Sequence, residues 1–194
     1  MPRPRSHTPE LRTQLLTVAA AQIAQSGVPA LSVRGLAALN GTSTSAVYAL
    51  FGGRAELVQA VLDHAAAQFT ASQEAVCESD EPLADLANLG RAYRRWALDN
   101  PTLYAVMFGG RLAVPDCAQE ERPEPPIAPL YRCITRSIRA GQIRPERVDL
   151  IAASIWASVH GWVSLETSAA LVPADVADAA YDEHLAGLAR AWRP

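Results

Sequence analysis

The stretch from Ala30 to Leu57 constrains the fold more than any other, because it fits two short helices and a tight turn into fewer than thirty residues. Ser32 is placed to cap the first helix. We predict that the apolar face of this helix consists of Val33, Leu36, Ala37 and Leu39. Asn40-Gly41-Thr42 then breaks the helix, since glycine supplies the backbone freedom that a tight turn needs.

A second short helix follows, with Ser43 as its capping residue. Val47, Leu50 and Phe51 are predicted to point inward, and Thr44, Ser45 and Tyr48 outward. This pattern is typical of a helix-turn-helix, in which one helix braces the next and the second presents small polar side chains to a major groove.

Charge is divided unevenly along the chain, whose net charge is −3. Residues 1–57 carry a net charge of +3, and the remaining residues carry −6. A basic head and an acidic body suit one domain that binds DNA and another that does not. We therefore predict a DNA-binding domain over residues 1–57 and a second domain over residues 58–194.

The whole chain of 194 residues is predicted to be all-α, with about nine helices, because strand patterns are absent. A long fourth helix is expected from the Gly52-Gly53 turn to about Cys77, as a lever between the two domains. Residues 1–7 are predicted to form a flexible arm, and Gly109 to Pro126 a long loop. The absence of a signal peptide and the odd cysteine count favour a cytoplasmic protein.

The segment from Pro145 to about Ser168 is apolar on all sides of a helical wheel. Such a helix must be covered on more than one face, so a second copy of the chain is expected to cover one of them. The last helix, from 174 to about 191, could complete that dimer interface. The predicted interface residues are Ile155, Val159, Trp162, Val163, Leu185 and Leu188.

An aromatic-lined cavity for a small, largely apolar ligand is a further hypothesis. Its candidate lining residues are Tyr93, Trp96, Tyr104, Met107 and Phe108, which could equally be ordinary core. His160 follows Trp156 by four residues, so the two share a helical face. This pair could line the same cavity, although a histidine satisfied within the core is the alternative.

Catalysis finds no support in the sequence. No glycine-rich phosphate loop, nucleophile elbow or paired-carboxylate motif is present, and the histidines lack partners at metal-ligand spacing. We therefore expect neither an enzyme nor a metal or other cofactor.

The helix-turn-helix region resembles the tetracycline-repressor (TetR) class of bacterial transcription regulators. The residues that carry the resemblance are Gly41, Ser43, Val47, Tyr48, Phe51 and Arg54. A shorter stretch, Trp156 to Trp162, is similar to the Trp…His-Gly motif of one C-terminal subclass. The resemblance implies a homodimer with two DNA-binding heads and a ligand pocket in each body, in which the ligand changes the spacing of the heads.

Seven residues are predicted to contact DNA: Arg34, Thr42, Ser43, Thr44, Ser45, Tyr48 and Arg54. Tyr48 could donate its hydroxyl to a phosphate, or it could be purely structural. Arg54 stands at a helix N-terminus, where a basic side chain and free amides favour phosphate, but it could also be solvated. Arg34 could contact DNA or remain an exposed charge.

Together these features predict a ligand-responsive repressor that binds a near-palindromic operator as a homodimer. The alternative is a helical module that binds nucleoid DNA or another protein without regulating transcription.

Overall fold

The computed structural model describes residues 8–76, 78–109, 127–169 and 173–194. These residues form nine α-helices and one short 3₁₀ turn, with no strand among them, as the sequence predicts. The expected arm, and the expected loop after Gly109, lie outside the described residues.

The described helices follow in chain order. Their bounds are α1 Pro9–Ser26, the 3₁₀ turn Val28–Ala30, α2 Val33–Leu39, α3 Thr44–Phe51, α4 Arg54–Glu74, α5 Pro82–Asp99, α6 Pro101–Phe108, α7 Ala128–Arg139, α8 Val148–Ala169 and α9 Ala177–Ala191. The predicted fourth helix therefore ends at Glu74, slightly earlier than expected.

The described residues form two compact units. The first contains residues 8–68 and 100–109, and the second contains the rest, so α4 begins in the first unit and ends in the second. These two units are defined by which residues pack together. The boundary predicted at residue 57 instead separates a DNA-binding domain from the rest of the chain, and it stays a prediction. The two divisions differ because α6 packs on α1, a contact between distant parts of the chain that helical periodicity cannot reveal.

In the first unit a single apolar core joins α1, α2, α3, the start of α4 and α6. Leu15, Leu16 and Leu36 are almost completely buried in it, as is Val106 of α6. The Thr8 hydroxyl accepts a hydrogen bond from the Leu11 amide, so α1 begins where the sequence predicts.

In the second unit α5 packs against α7, α8 and α9. Arg94 of α5 binds both oxygens of Glu166 of α8, at 2.7 and 2.6 Å, and also Asp178 of α9 at 2.7 Å. Only 13% of the side-chain surface of Arg94 and of Glu166 is exposed. The Arg94 guanidinium also lies over the Tyr181 ring, so one cation joins three helices.

The helix α8 is the apolar segment that the sequence singles out, and by length and composition Val148–Ser168 could cross a membrane. One of its faces belongs to the core of the second unit, with Ile151, Val159 and Val163 nearly inaccessible. Glu166, near the end of the helix, is paired with Arg94 in the same unit. These features are those of a core helix of a folded domain.

Candidate DNA-binding surface and ligand cavity

The helix-turn-helix is built by caps that the sequence itself supplies. The Ser32 hydroxyl accepts a hydrogen bond from the Gly35 amide at the start of α2. Gly41 ends α2 with a φ of +60°, which lets the Thr42 amide donate to the Ala37 carbonyl at 3.0 Å. Both the cap and the glycine turn are as predicted.

The next helix, α3, begins at a second hydroxyl cap. The Ser43 Oγ accepts a hydrogen bond from the Ala46 amide at 3.1 Å. This bond occupies the hydroxyl as an acceptor but leaves its own hydrogen free to donate. Ser43 is exposed, so this hydrogen can reach a phosphate while the cap is kept.

The two faces of α3 differ sharply in exposure. Val47 and Phe51 are buried, whereas the side chains of Thr44, Ser45 and Tyr48 are exposed and Thr42, in the preceding turn, is half-buried. The outward polar face predicted from the sequence is therefore present.

Leu50 is half-buried and packs against the apolar core of the first unit, so it points inward as predicted. One position differs from the sequence prediction. Leu39, expected to belong to the apolar core, is 69% exposed. The reason is angular, since Leu39 stands roughly 110° around α2 from the line of Val33, Leu36 and Ala37.

Arg34 and Tyr48 present free polar groups to solvent. Within the part of the chain that the structure describes, neither side chain makes a hydrogen bond or an ion pair, and the side chain of Tyr48 is half exposed. Their positive charge and phenol hydroxyl are thus unoccupied by the protein, as contacts to phosphate require.

Arg54 has a role that the sequence prediction did not include. Its guanidinium donates hydrogen bonds to the Val28 and Pro29 carbonyls, at 2.5 and 2.9 Å. These carbonyls belong to the 3₁₀ turn between α1 and α2, so Arg54 ties that turn to the start of α4. The side chain remains exposed, and its charge is still available to DNA.

This double role of Arg54 can be tested by substitution. Arg54→Ala should lower the free energy of unfolding by about 1 kcal/mol, because two hydrogen bonds from a charged donor are lost at an exposed site. Arg54→Lys keeps the charge but lacks the planar fork, so it should lose similar stability while keeping more DNA affinity. Thermal unfolding and DNA titration of both variants check this, and a fully stable Arg54→Ala protein would contradict the structural role.

A narrow cavity lies inside the second unit, between α5, α7, α8, α9 and the end of α4. Tyr93 and Trp156 line it, together with leucine and isoleucine side chains, and no described lining residue is charged. Its free volume is about 50 Å³. A ligand of ordinary size, which needs several hundred Å³, could enter only if lining side chains moved apart.

An aromatic cluster borders this cavity. The Phe69 ring meets the rings of Tyr93, Trp96 and Trp156 edge-on, with centroid distances of 5.2, 5.1 and 6.3 Å. The Tyr93 hydroxyl and His160 Nδ1 lie 2.8 Å apart and share a hydrogen bond. Phe69 was not predicted to belong to the site, although it lies on the apolar stripe of α4.

The predicted pocket residues do not form one group. Tyr93 and Trp156 line the cavity. Trp96 and His160 belong to the adjoining aromatic cluster, where their rings contact those of Phe69 and Trp156. Tyr104, Met107 and Phe108 instead belong to the first unit, where the Tyr104 and Phe108 rings pack at 5.1 Å. None of these three is among the described residues that line the cavity.

Most of the predicted interface residues are buried within the single chain. Within the single chain Ile155, Val159, Val163 and Leu185 are less than a tenth exposed, so they have little surface to offer a second copy. Three of these four, and Leu188, line the cavity. Trp162 is half-buried, and its ring stacks on His184 with a centroid distance of 4.9 Å.

The apolar surface that remains exposed on α8 follows a different stripe. It consists of Leu150, Ala153, Ala157 and Leu165. Periodicity alone could not separate the two stripes, because both are apolar.

Two histidines of the second unit should make stability depend on pH. Burial lowers the pKa of His160. Burial also lowers the pKa of His184, although a hydrogen bond with the Ser158 backbone acts in the opposite direction. The unfolded chain then binds protons more readily, so the free energy of unfolding should be highest above about pH 6.5, the ordinary pKa of a histidine, and fall as the pH drops below it. Urea titrations on both sides of this pH check it, and replacing both histidines by glutamine should flatten the slope; an unchanged slope would contradict it.

Two family models match this chain. The model of bacterial regulatory proteins of the tetR family matches residues 15–61, and the model of a tetracyclin repressor-like C-terminal domain matches residues 86–188. The first therefore covers the helix-turn-helix, and the second covers most of the residues that line the cavity.

Solved structures are similar over nearly the whole chain. A protein with unknown function from Rhodococcus sp. RHA1 is 31% identical, with a TM-score of 0.75 and coverage of 97% of this chain and 100% of its own. PfmR, a TetR family transcriptional regulator from Thermus thermophilus, is 22% identical, with a TM-score of 0.68 and coverage of 89% and 97%. The transcriptional regulator FadR from Bacillus subtilis, solved in complex with stearoyl-CoA, is 17% identical, with a TM-score of 0.74 and coverage of 91% and 97%. No curated protein matches.

Proposed function

Because this chain belongs to the TetR family of bacterial transcription regulators, we propose that it is a repressor that a small molecule releases from its operator. The observation that carries the proposal is the exposed polar face of α3, held by two hydroxyl caps on a buried apolar face. On this proposal Ser43, Thr44 and Ser45 enter the major groove. Tyr48 and Arg34 bind phosphates beside it.

A dimer is needed for a near-palindromic operator. Regulators of this family are typically homodimers, and two heads would occupy half-sites about 34–36 Å apart or somewhat further. The exposed apolar stripe of α8, from Leu150 to Leu165, supports this part of the proposal, because a second copy would remove it from water. We also propose that the protein acts in the cytoplasm, because the operator DNA of a bacterial regulator lies there.

Ligand response is proposed for the cavity of the second unit. A molecule that fills it binds one arrangement of the surrounding helices better than the other, and shifts the equilibrium by that difference in affinity. The helix α4 is continuous from Arg54 to Glu74, so a displacement at its cavity end can reach the head. The stearoyl-CoA complex of FadR provides a precedent within this fold, although not the identity of the ligand.

The competing function is a helical module that binds nucleoid DNA or another protein. Genome-wide occupancy separates the two: a repressor occupies a few promoters, whereas an architectural protein occupies many dispersed sites. Occupancy at a few promoters that is lost in a Tyr48→Ala strain would support the proposal. Broad occupancy with no promoter preference would overturn it.

A further inference from the structure

The cavity contains one polar side chain that the core does not explain. Gln73, near the end of α4, is 7% exposed and lines the cavity. Within the described part of the chain, the one hydrogen bond of its side chain is a long one, 3.4 Å from Nε2 to the Ser72 Oγ. A buried amide offers two donors and an acceptor, and such groups are almost always satisfied in folded proteins.

The other polar lining groups are engaged or offer less. The Tyr93 hydroxyl shares its hydrogen bond with His160, and the Trp156 and Trp192 indoles each carry one N–H donor and no acceptor, whereas the Gln73 amide can both donate and accept. Every other described lining residue is apolar. Gln73 is therefore the group best placed to hydrogen-bond a bound molecule.

Gln73 also marks the border between two environments. Beyond it lies a polar cleft, which Gln73 and Leu89 line as well. The charged side chains of that cleft are Glu74, Glu78, Asp85, Arg132 and Arg136. Each of them is in an ion pair with another of the set, so neither an anionic nor a cationic ligand group finds an unpaired partner there.

We propose that Gln73 recognises the single polar group of a neutral, mainly apolar ligand, whose apolar part fills the cavity. This inference rests on the proposed function, since it specifies the ligand class of the same site. The buried amide would donate to, or accept from, an uncharged hydroxyl, carbonyl or amide. Because Gln73 lies on α4, binding would act directly on the helix that leads to the head.

Four eight-carbon probes test the ligand class: 1-octanol, 1-chlorooctane, octanoate and octylammonium. Trp156 and Trp192 line the cavity, so tryptophan fluorescence reports binding without DNA. The wild-type protein should bind 1-octanol roughly tenfold more tightly than 1-chlorooctane, the difference that one hydrogen bond supplies. Octanoate and octylammonium should bind at least tenfold more weakly than 1-octanol, because the cavity would have to bury their charge.

Variants test the residue. In Gln73→Met, a side chain of similar length without the amide, the preference for 1-octanol over 1-chlorooctane should fall at least tenfold, because the hydroxyl would be buried without a partner. Gln73→Leu provides a second variant if the methionine protein folds poorly. Gln68→Met is the matched control, because Gln68 lies on the same helix, bonds to His64 and does not line the cavity, so this variant should keep the wild-type preference.

The following results would overturn the inference. An unchanged preference in the Gln73 variants would remove Gln73 as the recognition residue. Equal binding of a charged probe, or no binding of any probe by the wild-type protein, would remove the ligand class. Operator binding by the same wild-type preparation is measured separately without a probe, so its failure would overturn the proposed function while leaving the fluorescence result intact.

Discussion

Replacing Ser45 by aspartate should reduce the affinity for operator DNA at least 100-fold while leaving the fold intact. The residue is exposed at the second position of α3, so a carboxylate there would face the phosphates, and like charges brought together at an interface cost several kcal/mol. The same position favours an acid in the isolated head, because a helix N-terminus attracts negative charge. Affinity and stability should therefore change in opposite directions.

The matched control is Ser45→Asn, which has the shape of aspartate without its charge. It should bind DNA within about tenfold of the wild-type protein, because one short hydroxyl contributes little to base recognition. Anisotropy titrations with a labelled operator fragment measure both variants, and thermal unfolding confirms their folding. Equal affinities for the aspartate and asparagine proteins would mean that the first turn of α3 does not face DNA.

Replacing Arg94 by alanine should cost about 3 kcal/mol of stability. It would leave the Glu166 carboxylate, with 13% of its side chain exposed, without its bidentate partner, and breaking a buried pair from one side costs several kcal/mol. The variant would also lose the stacking of the guanidinium on Tyr181. In a chain of this size the melting temperature should fall by roughly 6–12 °C.

Arg91 provides an internal comparison. It lies on the same helix and pairs with Asp182 of α9 at 2.7 Å, but the two side chains are 44% and 54% exposed. Arg91→Ala should cost less than about 1 kcal/mol, because exposed ion pairs contribute little.

The double variant Arg94→Met, Glu166→Leu should recover much of the stability that Arg94→Ala loses, since it removes the unpaired charge as well. Equal losses in the two single variants would contradict the central position given to Arg94.

Local features of the fold were predictable from the sequence. The hydroxyl caps of α1, α2 and α3 and the glycine turn at Gly41 depend on residues at most five apart, so a linear pattern contains all the information they need. Periodicity likewise identified the helices of the body and the unusual apolarity of α8. The all-helical fold and the family followed from these features together.

Long-range packing was not predictable in the same way. Helical periodicity in the segment 101–108 does not reveal that α6 packs on α1, and so it could not show that Tyr104 and Phe108 belong to the first unit. The hydrogen bonds of Arg54 to Val28 and Pro29 join residues about 25 positions apart. Gln73 escaped notice because a glutamine on a helix is ordinarily solvated, and only its burial marks it.

The central claim is that this chain binds a specific operator and releases it in response to a ligand. The most direct test is a band-shift titration of the wild-type protein against the DNA upstream of its own gene, at two salt concentrations and with unrelated competitor DNA. We expect a discrete, salt-sensitive complex that resists competitor and contains two copies of the chain. A neutral apolar compound that fills the cavity should dissociate it. Binding that competitor abolishes at equal concentration, or no binding at any salt or ligand condition, would contradict this claim.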